Sequence, residues 1–297
     1  MPESFSHFWW RRPLHGVRLE LVTDGRRWFH ALAVELAEEG REEGDVYEPL
    51  RKPLLFRELA GLPLDDPAAW SGFATRWGFL RESRELVHPR RIDAPPGDFS
   101  PHAADFSRRL EAERVDQWRE AVEAFKVTFA MWASLSSGEP KGLAWVVQAL
   151  QVPGFREFQA HLFEEIGEVR TPAQIRRAGW FLFNRDVNRM LLELGVSPGL
   201  LFDARTKGPA LRLRPASLLG ATWLQLAEAA DRRYSARHCP RCRDWFVVNP
   251  ESRRGHDTYC SDACRMAAYR RRRKSREARL PSRQPSRSGP GGATPGG

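Results

Sequence analysis

Between Val17 and Leu32 apolar positions alternate with polar ones: Val17, Leu19 and Leu21 precede Thr23-Asp24-Gly25, and Trp28, His30 and Leu32 follow it. A period of two on either side of an Asp-Gly pair predicts a β-hairpin. The charged, Gly- and Pro-bearing stretch that continues to about Pro53 predicts loop. Short helices are expected over 54–62 and 67–77, the second led by Asp65 and Asp66 as caps with Pro67 behind them. Pro89, Pro95, Pro96 and Pro101 then interrupt the pattern, and 88–101 reads as a linker or an ordered loop.

The period changes after that. Over 103–136, Val115, Trp118, Val122, Phe125, Phe129 and Trp132 recur at steps of three and four, which predicts one long helix with an apolar seam. A seam of three heptads with helices on both sides fits an intramolecular bundle core better than a dimerising coiled coil. Further helices are expected over 143–151, 155–166, 172–194 and 215–232, with Pro172 and Pro215 in their first turns. The run Trp180-Phe181-Leu182-Phe183 makes the helix from Pro172 apolar on several faces, so it is expected at the centre. The pattern predicts a mainly α protein: a helical body over 1–234 with a small β-hairpin element, a finger with a basic helix over 235–280, and a tail over 281–297 too poor in hydrophobes to pack.

Composition agrees with a folded chain. Of 297 residues 41% are hydrophobic and 11 are Trp, enough for a real core, which excludes a wholly disordered protein. No apolar run approaches the roughly 18 residues of a membrane span, and the start lacks a signal-peptide core, so a cytoplasmic location without a membrane partner is expected. The net charge is +9, but 17 Lys plus Arg against 5 Asp plus Glu from Arg232 onward put +12 there and leave −3 for the remainder. Only 5 of the 47 cations are Lys, so the clustering of charge carries the argument and the abundance of Arg does not. A basic end on a mildly acidic body points to a polyanionic partner.

All four cysteines fall in the basic end, as Cys239-x2-Cys242 and Cys260-x3-Cys264. Two short-spaced pairs in an otherwise Cys-free chain of reducing surroundings fit a tetrahedral metal site, with Zn²⁺ as one structural ion, better than disulfides. The residues between the pairs are hairpin material, and Ser261 is placed to cap a helix with Cys264 in its first turn. Knuckle, hairpin and helix in that order make a treble-clef-like arrangement. His238 and His256 lie nearby but are bystanders if four thiolates complete the shell.

The run CPRCRDWF…YCSDACRMAAYRRRR resembles the CGNR-type zinc fingers of bacterial transcription regulators over about residues 237–274, with Cys264-Arg265-Met266-Ala267 where that family reads CGNR. The resemblance implies a zinc-bound, DNA-binding module at the end of a regulatory body.

After the finger come Arg270-Arg271-Arg272-Arg273-Lys274, then Arg276 and Arg279. At about 100° per residue, five consecutive cations point to every side of a helix, so it is expected to project into solvent once Met266 and Tyr269 have packed its first turns on the finger. Phosphates would relieve the repulsion, with Arg253, Arg254 and Arg265 as further contacts. Trp245, Phe246 and Tyr259 are assigned to the core of the finger.

Catalytic motifs are missing: the sequence has no phosphate loop, no HExxH and no serine elbow. His161, Glu164 and Glu165 read as a solvated helix face, and Arg185, Asp186 and Arg189 as an ion-pair network rather than an anion pocket. The chain is therefore expected to be a non-enzymatic, zinc-dependent nucleic-acid-binding protein. DNA regulation is favoured, an RNA-binding protein of the same build and a protein-interaction adaptor stand as alternatives, and the body is left to take a small ligand or to self-associate.

Overall fold

The computed structural model describes residues 10–13, 16–35, 44–52, 55–81, 85–108, 110–137, 171–203, 207–243, 245–248 and 258–277. The helices expected over 143–151 and 155–166, with His161, Glu164 and Glu165, lie outside the described residues, as does the tail over 281–297.

The expected hairpin forms. Strand β2 (Arg18–Thr23) pairs with β3 (Trp28–Glu35) from Arg18↔Ala33 to Thr23↔Trp28. Asp24 ties the turn by accepting from the backbone N–H of Arg26 and Arg27, and Gly25 supplies φ +88°. The face turned inward differs from the one the alternation marks: Leu19 is exposed, while Val22, Phe29, Ala31 and Ala33 are buried together. Two more strands explain this. Strands β5 (Glu85–Pro89) and β6 (Leu110–Arg114) close a four-stranded antiparallel barrel in the order β2-β3-β6-β5, and Val87, Leu110 and Ala112 complete its interior. The other face of β3 puts Leu32 and Val34 into the main core, so this strand is buried on both sides. A separate pair, β1 (Trp10–Pro13) with β4 (Gly44–Tyr47), covers part of the charged stretch expected to be loop.

The mainly α expectation is thereby overturned. Of the described residues 48% are helical and 26% lie in strands, so the fold is mixed α and β. The physical reason is the bore of the barrel. Four strands leave little interior room, so the inward residues include Ala31, Ala33 and Ala112, and alanine carries no strand signal. Residues 110–114, expected at the start of the long helix, pair instead with β3 and β5.

Six α-helices are present among the described residues. Helix α1 (Leu55–Gly61) and α2 (Pro67–Trp77) match the expected positions. Asp66 caps α2 by accepting from Ala68 and Ala69, and Gly78 ends it. At φ +92°, a Cβ on Gly78 would collide with the Arg11 carbonyl oxygen, so glycine is required on both counts. Helix α3 (Val115–Ser137) carries the seam, with Trp118, Val122, Phe125, Phe129 and Trp132 all buried within this chain. Helix α4 (Pro172–Glu193) begins with a capping box between Thr171 and Gln174. Helix α5 (Leu218–Asp231) is capped by Ser217, which leaves Pro215 ahead of the helix. Residues 218–226 of α5 are all buried, whereas Trp180 and Phe181 of α4 are only partly so. The centre of the body is therefore α3 with α5 rather than α4. Between α4 and α5 stands a hairpin the pattern did not predict, β7 (Ser197–Asp203) with β8 (Gly208–Arg214). No helix among the described residues is long and apolar enough to cross a membrane.

Candidate metal centre

The C-terminal module starts as a third two-stranded sheet. Strand β9 (Ser235–His238) pairs with β10 (Trp245–Val248), Trp245 opposite His238 and Val248 opposite Ser235. Alternation along β10 sorts its side chains. Phe246 and Val248 face the cysteines, while Trp245 and Val247 face the body. The Trp245 ring meets Phe129 of α3 edge-on at 5.4 Å, and the Ala236 N–H reaches the Ser136 hydroxyl at 3.4 Å. The hairpin of the finger is thus built onto the long helix of the body, with Ala236 inside the main core. The assignment of Trp245 and Phe246 to apolar packing holds, but Trp245 packs on the body.

Between the two strands the chain makes a knuckle. The Arg243 N–H donates to the Cys239 carbonyl at 2.9 Å, and Arg243 sits in the left-handed region at φ +68°. His238 Nδ1 lies 2.8 Å from the Arg243 carbonyl, which only accepts, so Nδ1 carries the proton. Its ring stacks on Trp245 at 3.6 Å. His238 is held for shape and lies outside the sulfur cluster; His256 is outside the described residues.

On the other side, helix α6 (Asp262–Glu277) begins at the second cysteine pair. The Ser261 hydroxyl accepts from the Cys264 N–H at 3.3 Å, the cap its position foretold. The sulfurs of Cys239, Cys242, Cys260 and Cys264 all lie within 4.8 Å of one another, with Cys242–Cys260 and Cys260–Cys264 at 3.5 Å. No disulfide joins any of the four. A tetrahedron with metal–sulfur bonds of about 2.3 Å has edges of about 3.8 Å, so the four can hold one metal ion with small adjustments. Cys239 is buried, which raises its pKa, but N–H groups of Cys260, Cys242 and Arg241 donate to its sulfur and bring the value down to about 6. Burial pushes the Cys260 thiol up. These donors pull the Cys239 sulfur toward the thiolate that a metal ion requires.

The cations expected to meet a polyanion lie along α6. Arg270, Arg271, Arg272, Arg273 and Lys274 are exposed, and Arg276 lies on the same helix. Arg265 is exposed and pairs with Asp262 at 3.0 Å. Arg253, Arg254 and Arg279 lie outside the described residues. Met266 and Tyr269 do not pack the helix down: both are exposed, and Cys264, Ala267 and Ala268 are the partly buried positions. A spacing of three and four places those three on one face, narrow enough to seat the first turns on the finger. In the body, Arg185 pairs with its neighbour Asp186 at 2.9 Å, while Arg189 pairs with Glu193 at 3.7 Å, so the three residues expected as one network fall into two separate pairs.

No protein-family model, curated protein or solved structure matches the chain. The likeness to CGNR-type fingers therefore rests on the quoted residues alone.

Proposed function

We propose that the four cysteines bind one structural zinc ion and that the chain is a nucleic-acid-binding protein, DNA being the favoured partner, that acts in transcription regulation. The observation that carries this reading is the joining of a four-sulfur cluster to the root of a helix with five consecutive exposed cations. Four thiolates fill a tetrahedral shell and leave no position for substrate, which fits a structural ion and a binding protein rather than an enzyme. Zinc over another ion is favoured by the all-sulfur donor set and its tetrahedral spacing. Once the finger is fixed, α6 has only its first turns seated, and the remainder is free to enter a groove.

The test uses the full chain. Mass spectrometry of the purified protein should find one zinc per chain. Neutralising about five phosphates should give binding to a 20-base-pair duplex with a log–log salt slope near −4 to −5. Replacing residues 270–274 by Gln should remove that binding and leave the zinc in place. Structured RNA as a second probe separates the two nucleic acids. A metal-free protein, or a five-Gln variant that binds as the parent does, would sink the proposal.

A further inference from the structure

Docking the finger on the body creates a cleft of about 560 Å³ that neither part has alone. Arg57 and Glu58 of α1 and Lys126 of α3 line it from the body, His238 of β9 and Arg243 of the knuckle line it from the finger, and Cys260 of the sulfur cluster and Ser261 border it ahead of α6. Its charges are unequal in how far they are satisfied. Glu58 accepts from Arg76 at 3.1 Å and from the Trp77 indole at 2.9 Å, so its negative charge is already matched. Lys126 donates to the Ala60 and Leu62 carbonyls at 3.2 and 2.5 Å, which fixes the ammonium at the C-terminal end of α1. The guanidinium groups of Arg57 and Arg243 have no ion-pair or hydrogen-bond partner among the described residues. Two unpaired cations from separate parts of the chain therefore converge on one cleft beside a third that is held in place. Such an arrangement repels itself until an anion enters.

From this cleft we infer a seat for a phosphate group, shared between body and finger. Guanidinium forks suit phosphate oxygens, which accept two N–H bonds side by side. The favoured source is the nucleic-acid backbone, an assignment that rests on the function proposed above. Ser261 is nine residues before Arg270, or about 14 Å at 1.5 Å per residue. One DNA strand presents about four phosphates over that length of axis. A strand that reaches the cationic run can therefore also reach the cleft, which makes the α/β body part of the interface and gives the finger an orientation on the duplex.

The test compares the zinc-loaded full chain with Arg57→Gln, Arg243→Gly and the double variant. Glycine is the residue best suited to φ +68°, so Arg243→Gly removes the charge without straining the knuckle. Zinc content and melting temperature should match the parent. Each single variant should weaken duplex binding by about five-fold and lower the salt slope by about one, and the double variant should lower it by about two. Inorganic tripolyphosphate, titrated by calorimetry, is the probe for a free phosphorylated ligand. Tripolyphosphate binding that the variants lose, beside an unchanged duplex slope, would keep the seat and overturn the backbone as its source. If the parent binds no nucleic acid, the proposed function falls, and tripolyphosphate binding lost in the variants would still support the seat. An unchanged duplex slope with no tripolyphosphate binding would overturn the inference outright.

Discussion

Gln225 shows how one polar side chain can organise an apolar body. It lies on α5, 8% exposed; its Oε1 accepts from the Phe56 N–H at 3.2 Å, and its amide nitrogen donates to the Pro49 and Lys52 carbonyls at 3.1 and 3.0 Å. The Pro49 carbonyl also accepts from the Lys52 N–H at 2.9 Å, but the Lys52 carbonyl and the Phe56 N–H at the start of α1 depend on this amide. Gln225→Leu adds apolar surface yet strips those groups of their partners. The expected result is a loss of about 2–3 kcal/mol in urea unfolding, and a variant as stable as the parent would contradict it. No sequence signal marks this residue, because a glutamine in an apolar helix looks like a solvent-facing position until α1 is placed against it. The cysteines are the opposite case. Their spacing alone names them, and the geometry adds that the four sulfurs converge and that Cys239 is the buried member.

At the level of elements, α6 and the barrel respond to different conditions. Helix α6 is polar nearly all round, and its attachment consists of the Ser261 cap and a face of Cys264, Ala267 and Ala268. Such a helix does not hold in water by itself. Chelating the metal is expected to melt its 16 residues, seen as lost ellipticity at 222 nm, while β9 and β10 stay on α3 through Ala236 and Trp245. Retention of all helicity after chelation would show that the metal does not hold α6. The barrel depends on pH. Glu35 of β3 accepts from Arg108, just before β6, at 3.0 and 3.1 Å, and that guanidinium holds its carboxyl below the ordinary value of 4.5. A lowered carboxyl pKa stabilises the fold above the unfolded value, and the gain is lost as pH falls through the folded one. The stability gap between parent and Glu35→Gln should therefore be full at pH 6 and shrink as pH falls below the ordinary value of 4.5. A gap that persists unchanged into acid would show that the ion pair contributes nothing.

Across the whole molecule, the finger is not hung on a linker. Trp245 and Val247 reach the main core, and the Trp245 ring rests against Phe129, so finger and body are expected to unfold together. When the parent is heated with a chromophoric indicator too weak to strip the proposed metal from the folded chain, metal release should coincide with calorimetric melting of the body. In Trp245→Ala the release should come first, with one metal still bound per chain at low temperature. Early release in both would mean that the docked hairpin carries no coupling.

What the sequence determined by itself is local: the four thiols and their cap, the seam of α3, the Asp24-Gly25 turn, the first two helices and the segregation of positive charge. Each depends on residues a few positions apart, whose meaning is set by backbone geometry and spacing. Tertiary structure decided the rest. It closed four strands around alanines that carry no strand signal, made α5 rather than α4 central, turned Trp245 toward the body, and brought Arg57, Lys126 and Arg243 to one cleft. These outcomes depend on which surfaces meet between segments far apart in the chain, and that is settled by the joint packing of all the elements rather than by the pattern within any one of them.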